Sequence, residues 1–551
     1  MQKSGAEIVI ETLIAHGIKD VFGYPGGAVL PIYDAIYRYS SKINHYITCH
    51  EQGATHAADG YARATGKPGV VIATSGPGAT NLVTGIATAY LDSVPLIAIT
   101  GNVALDQIGK DSFQEIDIHG ITLPITKHNY FVTKIEDLEE IICEAFKIAT
   151  SGRPGPILID IPKSIQNELY NYKSEKPYVP FPIPTINMSE VSKAANIINN
   201  SKKPYIYCGG GVIHSSAHNE VIELAKKINA PIGCSLMGLS SVNYTNPLAL
   251  GLVGMHGSYQ SSKMKAESDL IIGIGVRFSD RATGDRKAYK ENTQVIHIDI
   301  DPTEIGKNIP IDCSIQGDIK NVLPEIIKLV NQNGDDKWIN HKNTYTDMQP
   351  TQDNIIFNPR NIIKTVRNYS NENTVVTTDV GQHQMWVAQH YGFELPRKFL
   401  TSGGLGTMGF GVGAAIGASI SSNKSRTICF TGDASFHMNM NEIATAVLYE
   451  TPIIVVIMNN NALGMVRQWQ DMFYDKRHSN TSITRETNYK MFAESFGAIG
   501  FDAFNLDELN NALKASFESN KQCIINCVID FGENVYPMIP AGKPYSQIIV
   551  K

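Results

Sequence analysis

The sequence predicts an α/β protein made of three blocks, each a parallel sheet covered by helices. Short apolar strands alternate with helical stretches along the whole chain, the signature of parallel strands joined by helical crossovers. At about 150 residues per domain, the 551 residues call for three or four domains. The first and third blocks also repeat one pattern. ATSGPGATNLVTGIATAY followed by SVPLIAITGN matches LTSGGLGTMGFGVGAAIG followed later by ETPIIVVIMNN. In each, a strand ends in Thr-Ser-Gly, an Ala/Gly-rich helix follows, and a proline precedes a buried apolar strand. A duplicated fold leaves that trace.

Composition removes several alternatives. With 43% hydrophobic and 18% charged residues, the chain can bury a large core, which excludes disorder as its main state. Lys+Arg at 47 against Asp+Glu at 53 gives a net charge of −6, the wrong sign for a nucleic-acid-binding chain. No apolar run reaches the roughly 18 residues that a spanning helix needs, so no membrane protein is expected.

The elements follow in order. MQKSGAEIVIETLIAHG reads as a first helix and not as a secretory signal: Ser4 and Glu7 form a capping box, Ile8, Val9, Thr12 and Leu13 share a face, and Gly17 ends it. HEQGATH brings His50, Glu51 and His56 together, but the second histidine stands at i+6, off the face a zinc site on a helix would need. Residues 172–188, with Pro177, Pro180, Pro182 and Pro184, suit a stiff linker. In the middle block Gly209-Gly210-Gly211 follows the strand YIYC and reads equally as a phosphate turn or a plain loop. Residues 332–354 are polar and read as a second connector. Gly404-x-Gly406-x-x-Gly409 fits the dinucleotide fingerprint only weakly, because no acidic residue ends a strand about 20 residues on. Eight scattered cysteines read as buried free thiols in a reducing compartment, which places the protein in the cytoplasm.

The most informative spacing is Gly432-Asp433, then 25 residues, then Asn459-Asn460. Asp433 ends the strand RTICFTGD and the asparagines end PIIVVIMNN. In a parallel sheet both ends lie at the carboxyl edge, where α/β folds hold ligands. A carboxylate, an amide oxygen and a nearby carbonyl are hard donors suited to Mg²⁺ shared with a substrate phosphate. The competing reading is a helix-capping Asp433 and a simple Asn turn.

This spacing resembles the thiamine diphosphate motif. With PGGAVLPIYDAI, HEQGATHAADGYARATGKPGV, SGPGATN, DSFQEIDI, GMHG, GVRFSDR, GQHQMWVAQ, GLGTMGFG, GMVRQWQ and VYPMIPAGKP, the chain resembles the acetohydroxyacid synthase (acetolactate synthase) catalytic subunits over nearly its whole length. Ala434 stands where most thiamine enzymes have Gly, and Ala541 where Pro is common. The resemblance implies two related thiamine-binding domains, 1–171 and 355–551 with a C-terminal arm, flanking a Rossmann-like FAD-binding domain at 189–331.

It also implies roles. Glu51 would hydrogen-bond the cofactor's pyrimidine N1′ and share a proton there, work best done in apolar surroundings; the competing reading is a solvated glutamate at a helix start. Asp433, Asn460 and the carbonyl of Ala462 would hold Mg²⁺, while Gln382, His383, Gly406, Met408, Gly432, Ala434, Ser435 and Met465 line the thiamine diphosphate pocket. Gly27 and Ala28 leave room for substrate, and Phe113, Gln114 and Lys163 approach from a neighbouring subunit. Arg281 would grip the second keto acid's carboxylate by a two-pronged hydrogen bond, and Trp469 would wall its alkyl group. Arg153, Gly210, Gly211, Met255, His256, Arg277, Arg281, Asp299, Ile300 and Asp318 match FAD contacts, with Asp301 also placed to meet ribose hydroxyls.

The implied activity is decarboxylation of pyruvate and ligation of its hydroxyethyl unit to pyruvate or 2-oxobutyrate, the entry to branched-chain amino acids. A homodimer or dimer of dimers with its active site between subunits, and a small regulatory subunit, come with it. Three rivals weigh less. A catabolic, FAD-free acetolactate synthase is opposed by Arg153, GVRFSDR and GMHG, a pyruvate oxidase by Trp469 and the Arg277/Arg281 pair, and a non-catalytic flavin-binding homologue by intact Glu51, Asp433 and Asn460.

Overall fold

A computed structural model describes residues 2–172, 181, 184–348, 356–483 and 485–550. Three six-stranded sheets form the body of the chain, and every strand pairing within them is parallel. The first sheet runs from strand Asp20–Tyr24 to Pro156–Pro162, the second from Pro204–Cys208 to Cys313–Gln316, the third from Val375–Thr378 to Cys523–Val528. Counted along the chain, both outer sheets lie in the order second, first, third, fourth, sixth, fifth. The repeat seen in the sequence is therefore a repeat of topology. The middle sheet has the order third, second, first, fourth, fifth, sixth, the order of dinucleotide-binding sheets.

Central strands such as Gly69–Ala73, Leu96–Asn102 and Ile453–Asn459 are buried at every residue. Helices cover both faces of a parallel sheet, so these strands read as continuous apolar runs. The opening helix is Gly5–Ala15, with the reciprocal Ser4–Glu7 capping box present and Ile8, Val9, Thr12 and Leu13 buried.

The small residues of HAADGYARAT and GVGAAIGASI have one purpose. Helices Glu51–Thr65 and Phe410–Ser421 cross so closely that a Cβ on Gly60 would lie 2.3 Å from the Ala414 carbonyl oxygen, and one on Gly417 would lie 1.8 Å from that of Ala57. The two outer blocks of the chain are thereby locked back to back.

The Pro-rich stretch 172–188 lies largely outside the described residues. The second polar stretch is described as far as residue 348, and its later part is helical: Lys337–His341 leads into a 3-10 segment, Lys342–Met348. Trp338 is buried, and its indole N–H donates to the Pro204 carbonyl at 2.9 Å. Ile339 is buried beside it, and His341 and Tyr345 both bond Glu267. The C-terminal arm also returns to the middle block, where the Ile539 N–H meets the Met255 carbonyl at 2.7 Å and Tyr545 bonds the Ala282 carbonyl. None of the eight cysteines is in a disulfide and six are buried; Cys49 is exposed in the turn before Glu51. No helix among the described residues is long and apolar enough to cross a membrane.

Candidate active site

One cavity of about 1830 Å³ runs between the three blocks. A single drug-sized ligand fills about 300–1,000 Å³, so this space has room for two cofactors. Its two ends are made by different blocks.

At one end stand the carboxyl ends of the third sheet. Strand Thr427–Gly432 delivers Asp433, and strand Ile453–Asn459 delivers Asn460 and, beyond it, Ala462. Asn460 donates its amide to Gln382 Oε1 at 3.1 Å, which leaves its own oxygen as the remaining acceptor. Gln382 is held in turn by Gln468 Oε1 at 3.2 Å and the Glu533 carbonyl at 3.0 Å. Burial pushes the Asp433 carboxyl up to about 6. Burial drives His383 down to about 3, and its Nε2 is buried without a hydrogen-bond partner. Gly432, Ala434, Ser435, Met465 and the loop with Gly406 and Met408 complete this end. That loop needs its glycines: Gly406 has φ +72°, and Gly409 has φ +91° with the Asn439 amide 2.9 Å from where a Cβ would stand.

The other end belongs to the middle block. Gly210 and Gly211 open the helix Gly210–His214 after strand Pro204–Cys208. A Cβ on Gly211 would lie 2.7 Å from the Gly275 Cα, so glycine is required by close approach of two backbones. Met255, His256, Arg277, Asp299, Ile300 and Asp318 line the same wall. Burial raises Asp299 to about 6 and lowers His256 to about 4, whose Nδ1 is buried and unpartnered. Asp318 also caps the next helix through the Lys320 N–H at 2.9 Å. Asp301 accepts through Oδ1 from the Thr303 N–H at 2.9 Å and hydroxyl at 2.7 Å, and its Oδ2 lies 3.7 Å from Arg153 Nη1. Arg153 reaches in from the first block, paired with Glu304 at 2.9 Å. Where the two ends meet, the Arg281 guanidinium lies 5.7 Å from the centre of the Trp469 ring.

Comparison with known proteins decides the family. The chain matches the family models of thiamine pyrophosphate enzymes in three places: the N-terminal TPP binding domain at residues 3–121, the central domain at 191–326 and the C-terminal TPP binding domain at 379–527. It is 43% identical to the acetolactate synthase large subunit of Haemophilus influenzae over 99% of this chain and 98% of that one. It is 44% identical to the probable acetolactate synthase large subunit of Methanocaldococcus jannaschii (99% and 95%), and 42% identical to the isozyme 3 large subunit of Escherichia coli (97% and 96%). The chain belongs to the acetolactate synthase large-subunit family.

A large subunit of this family thus carries two TPP binding domains, and the structure sets their predicted residues in two places. The first block forms a cluster of its own at the carboxyl edge of its sheet, outside the cavity. Glu51 begins helix Glu51–Thr65, half-buried, and accepts from the Asn81 amide at 2.9 Å. Thr74 ties the cluster together: its hydroxyl accepts from the Ala28 N–H at 3.2 Å, and its side chain packs on Gly26 and Gly78. A Cβ on Gly78 would be 3.2 Å from Glu51 Oε1, and one on Gly76 would be 2.9 Å from Gln114. Gly27 lies in the same turn as Ala28, and Lys163 opens the short helix after strand Pro156–Pro162. Phe113 is 88% exposed, the posture of a side chain that has no cover within its own chain.

Two residues passed over by the motifs matter to this geometry. Gln166, buried, donates to the Ala28 carbonyl at 2.8 Å and so fixes that turn. Glu442 of the third block, fully buried, accepts from the Cys49 N–H at 3.2 Å and the His50 N–H at 3.0 Å, gripping the backbone just before Glu51. The carboxylate of Glu442 sits where the positive end of the helix favours it.

Proposed function

We propose that this chain decarboxylates pyruvate and joins the hydroxyethyl unit to a second 2-oxo acid, giving 2-acetolactate or 2-aceto-2-hydroxybutyrate for valine, leucine and isoleucine biosynthesis. The observation that carries the reading is the near full-length match to acetolactate synthase large subunits with Glu51, Asp433, Asn460, Arg281 and Trp469 all present.

The donor chemistry of the cavity fits the cofactors of that reaction. Asp433, Asn460 and the Ala462 carbonyl would hold Mg²⁺ against a diphosphate. Thiamine diphosphate, when bound, supplies the carbanion chemistry that 2-oxo acid decarboxylation requires. The chain does the rest. Glu51 holds and moves a proton at the pyrimidine N1′. Gly27 and Ala28 leave space for the keto acid, and Phe113, Gln114 and Lys163 exclude water from it. Arg281 binds the acceptor carboxylate by its fork, and the Trp469 ring beside it takes the alkyl group.

FAD fits the dinucleotide-type middle sheet, with His256 and the Gly210–Gly211 turn lining the cavity. The reaction has no net redox step, so its role is structural. Glu51 and Asp433 serve one site only if two chains supply them, which favours a homodimer or a dimer of dimers. Relatives named as large subunits imply a small regulatory partner, and cysteines without disulfides suit the cytoplasm.

The test is a competition between pyruvate and 2-oxobutyrate, read as the ratio of acetohydroxybutyrate to acetolactate. The acceptors differ by one methylene, worth roughly 1–3 kcal/mol or about 10- to 200-fold in an apolar pocket. Trp469→Leu is expected to bring the preference for 2-oxobutyrate toward parity while pyruvate decarboxylation changes much less. Arg281→Lys is expected to weaken capture of both acceptors together, since lysine cannot reproduce the fork. An unchanged ratio in Trp469→Leu would make that residue a packing group.

A further inference from the structure

The tripeptide Leu91-Asp92-Ser93 of the first block touches both ends of the cavity. Toward the middle block, the Leu91 carbonyl accepts from Arg277 Nη1, and the Ser93 hydroxyl accepts from Arg153 Nε at 2.7 Å. Toward the third block, the Asp92 carboxylate takes two successive backbone donors, Gly403 N–H at 3.0 Å and Gly404 N–H at 2.7 Å. These start the loop that carries Gly406 and Met408.

Asp92 is a costly residue to place there. Its side chain is fully buried, and so is that of Asp59, with Arg63 between them: Arg63 Nη2 lies 2.9 Å from Asp92 Oδ2 and bonds Asp59 through Nε. Arg63 also donates to the Thr401 carbonyl at 2.8 Å, one strand end before the same loop. Two buried anions around one cation are tolerated only when the remaining lone pairs are satisfied, and for Asp92 the loop's own N–H groups satisfy them. Loop and carboxylate are therefore each other's condition.

We propose that Leu91–Ser93 couples occupancy of the flavin end to occupancy of the thiamine end, with Asp92 as the positioning residue. This rests on the assignment of the two ends under Proposed function. Arg153 and Arg277 each have guanidinium donors beyond those given to Ser93 and Leu91, so a dinucleotide phosphate can be held without releasing the tripeptide. Binding at one end then braces the segment on which the loop at the other end rests, which makes the second cofactor bind more tightly. A flavin with no electron to carry would in this way still be required.

Coupling of this kind is reciprocal, so it is read from binding alone. Cofactor-stripped full-length protein is titrated with FAD, followed by flavin fluorescence, with and without Mg²⁺ and thiamine diphosphate; the converse titration follows thiamine diphosphate. FAD is expected to bind at least about fivefold more tightly with the other cofactor present, the low end of usual coupling, with the same factor in the converse titration. In Asp92→Asn the factor falls toward one while FAD alone still binds, because Arg153 and Arg277 are untouched. Ser93→Gly is the second variant: Ser93 has φ +60°, which glycine adopts readily, so the fold is kept while the hold on Arg153 is lost, and the factor falls here too. A wild-type factor of one, or an unaltered factor in Ser93→Gly, overturns the coupling. Failure of wild-type protein to bind FAD at all overturns the flavin assignment instead.

Discussion

Glu51→Gln should lower turnover at least about 100-fold at saturating cofactor, the low end of what a general acid–base group contributes. Glutamine keeps the shape of the side chain and can still meet the Asn81 amide, which now lies 2.9 Å from Glu51 Oε2. It cannot carry the proton. The backbone before it stays gripped by Glu442 through the Cys49 and His50 N–H groups, so the helix start is not expected to move. Binding of Mg²⁺ and thiamine diphosphate should survive, measured by equilibrium dialysis. Turnover close to wild type would remove Glu51 from the chemistry and leave it as a helix-start residue.

Asp433→Ala should abolish Mg²⁺-dependent retention of thiamine diphosphate. The carboxyl is buried at the end of its strand, and without it the diphosphate charge is poorly neutralised. Outer partners of metal sites already cost about 10- to 100-fold in affinity when lost, so a direct ligand should cost at least that. FAD should remain bound, weakened only by the loss of its coupling to thiamine diphosphate, since its predicted contacts lie in the middle block and at Arg153. Flavin absorbance after gel filtration, together with a thiamine diphosphate titration at fixed Mg²⁺, reads both halves. Normal binding of both cofactors would show the metal site to be elsewhere.

Much of this could be read from the sequence because it is local. The Ser4–Glu7 box, the strand ends at Asp433 and Asn460, and the alternation of strands and helices each fit within a few turns of chain. The duplication was legible because both outer blocks keep Thr-Ser-Gly before a small-residue helix, and the two sheets share one strand order. What escaped is held by long-range pairs of ordinary residues. Asp92 meets the Gly403 and Gly404 N–H groups from more than three hundred residues away, and Glu442 meets Cys49 from 393 residues away. Each reads locally as a helix-end acid, and only burial without charge balance nearby would have marked it. The polar stretch after residue 332 reads as a connector because its apolar anchors, Trp338 and Ile339, are two side chains in polar company, and its other ties, such as Tyr345 to Glu267, are polar pairs distant in sequence. The division of predicted residues into a cavity set and a first-block set has no signature along the sequence, since it arises from how the blocks turn relative to one another.

That division gives the most direct test of the account, in which Glu51 of one chain completes the site built around Asp433 of another. Glu51→Gln and Asp433→Ala chains carrying different tags are co-expressed, the hybrid is isolated by tandem affinity, and its pyruvate-to-acetolactate activity is measured. In a two-fold dimer with shared sites, the hybrid gathers both lesions into one site and leaves the other intact, so turnover should recover to about half of wild type per dimer. A hybrid as inactive as either parent would contradict it, because the two residues would then belong to the same chain's site or to no common site.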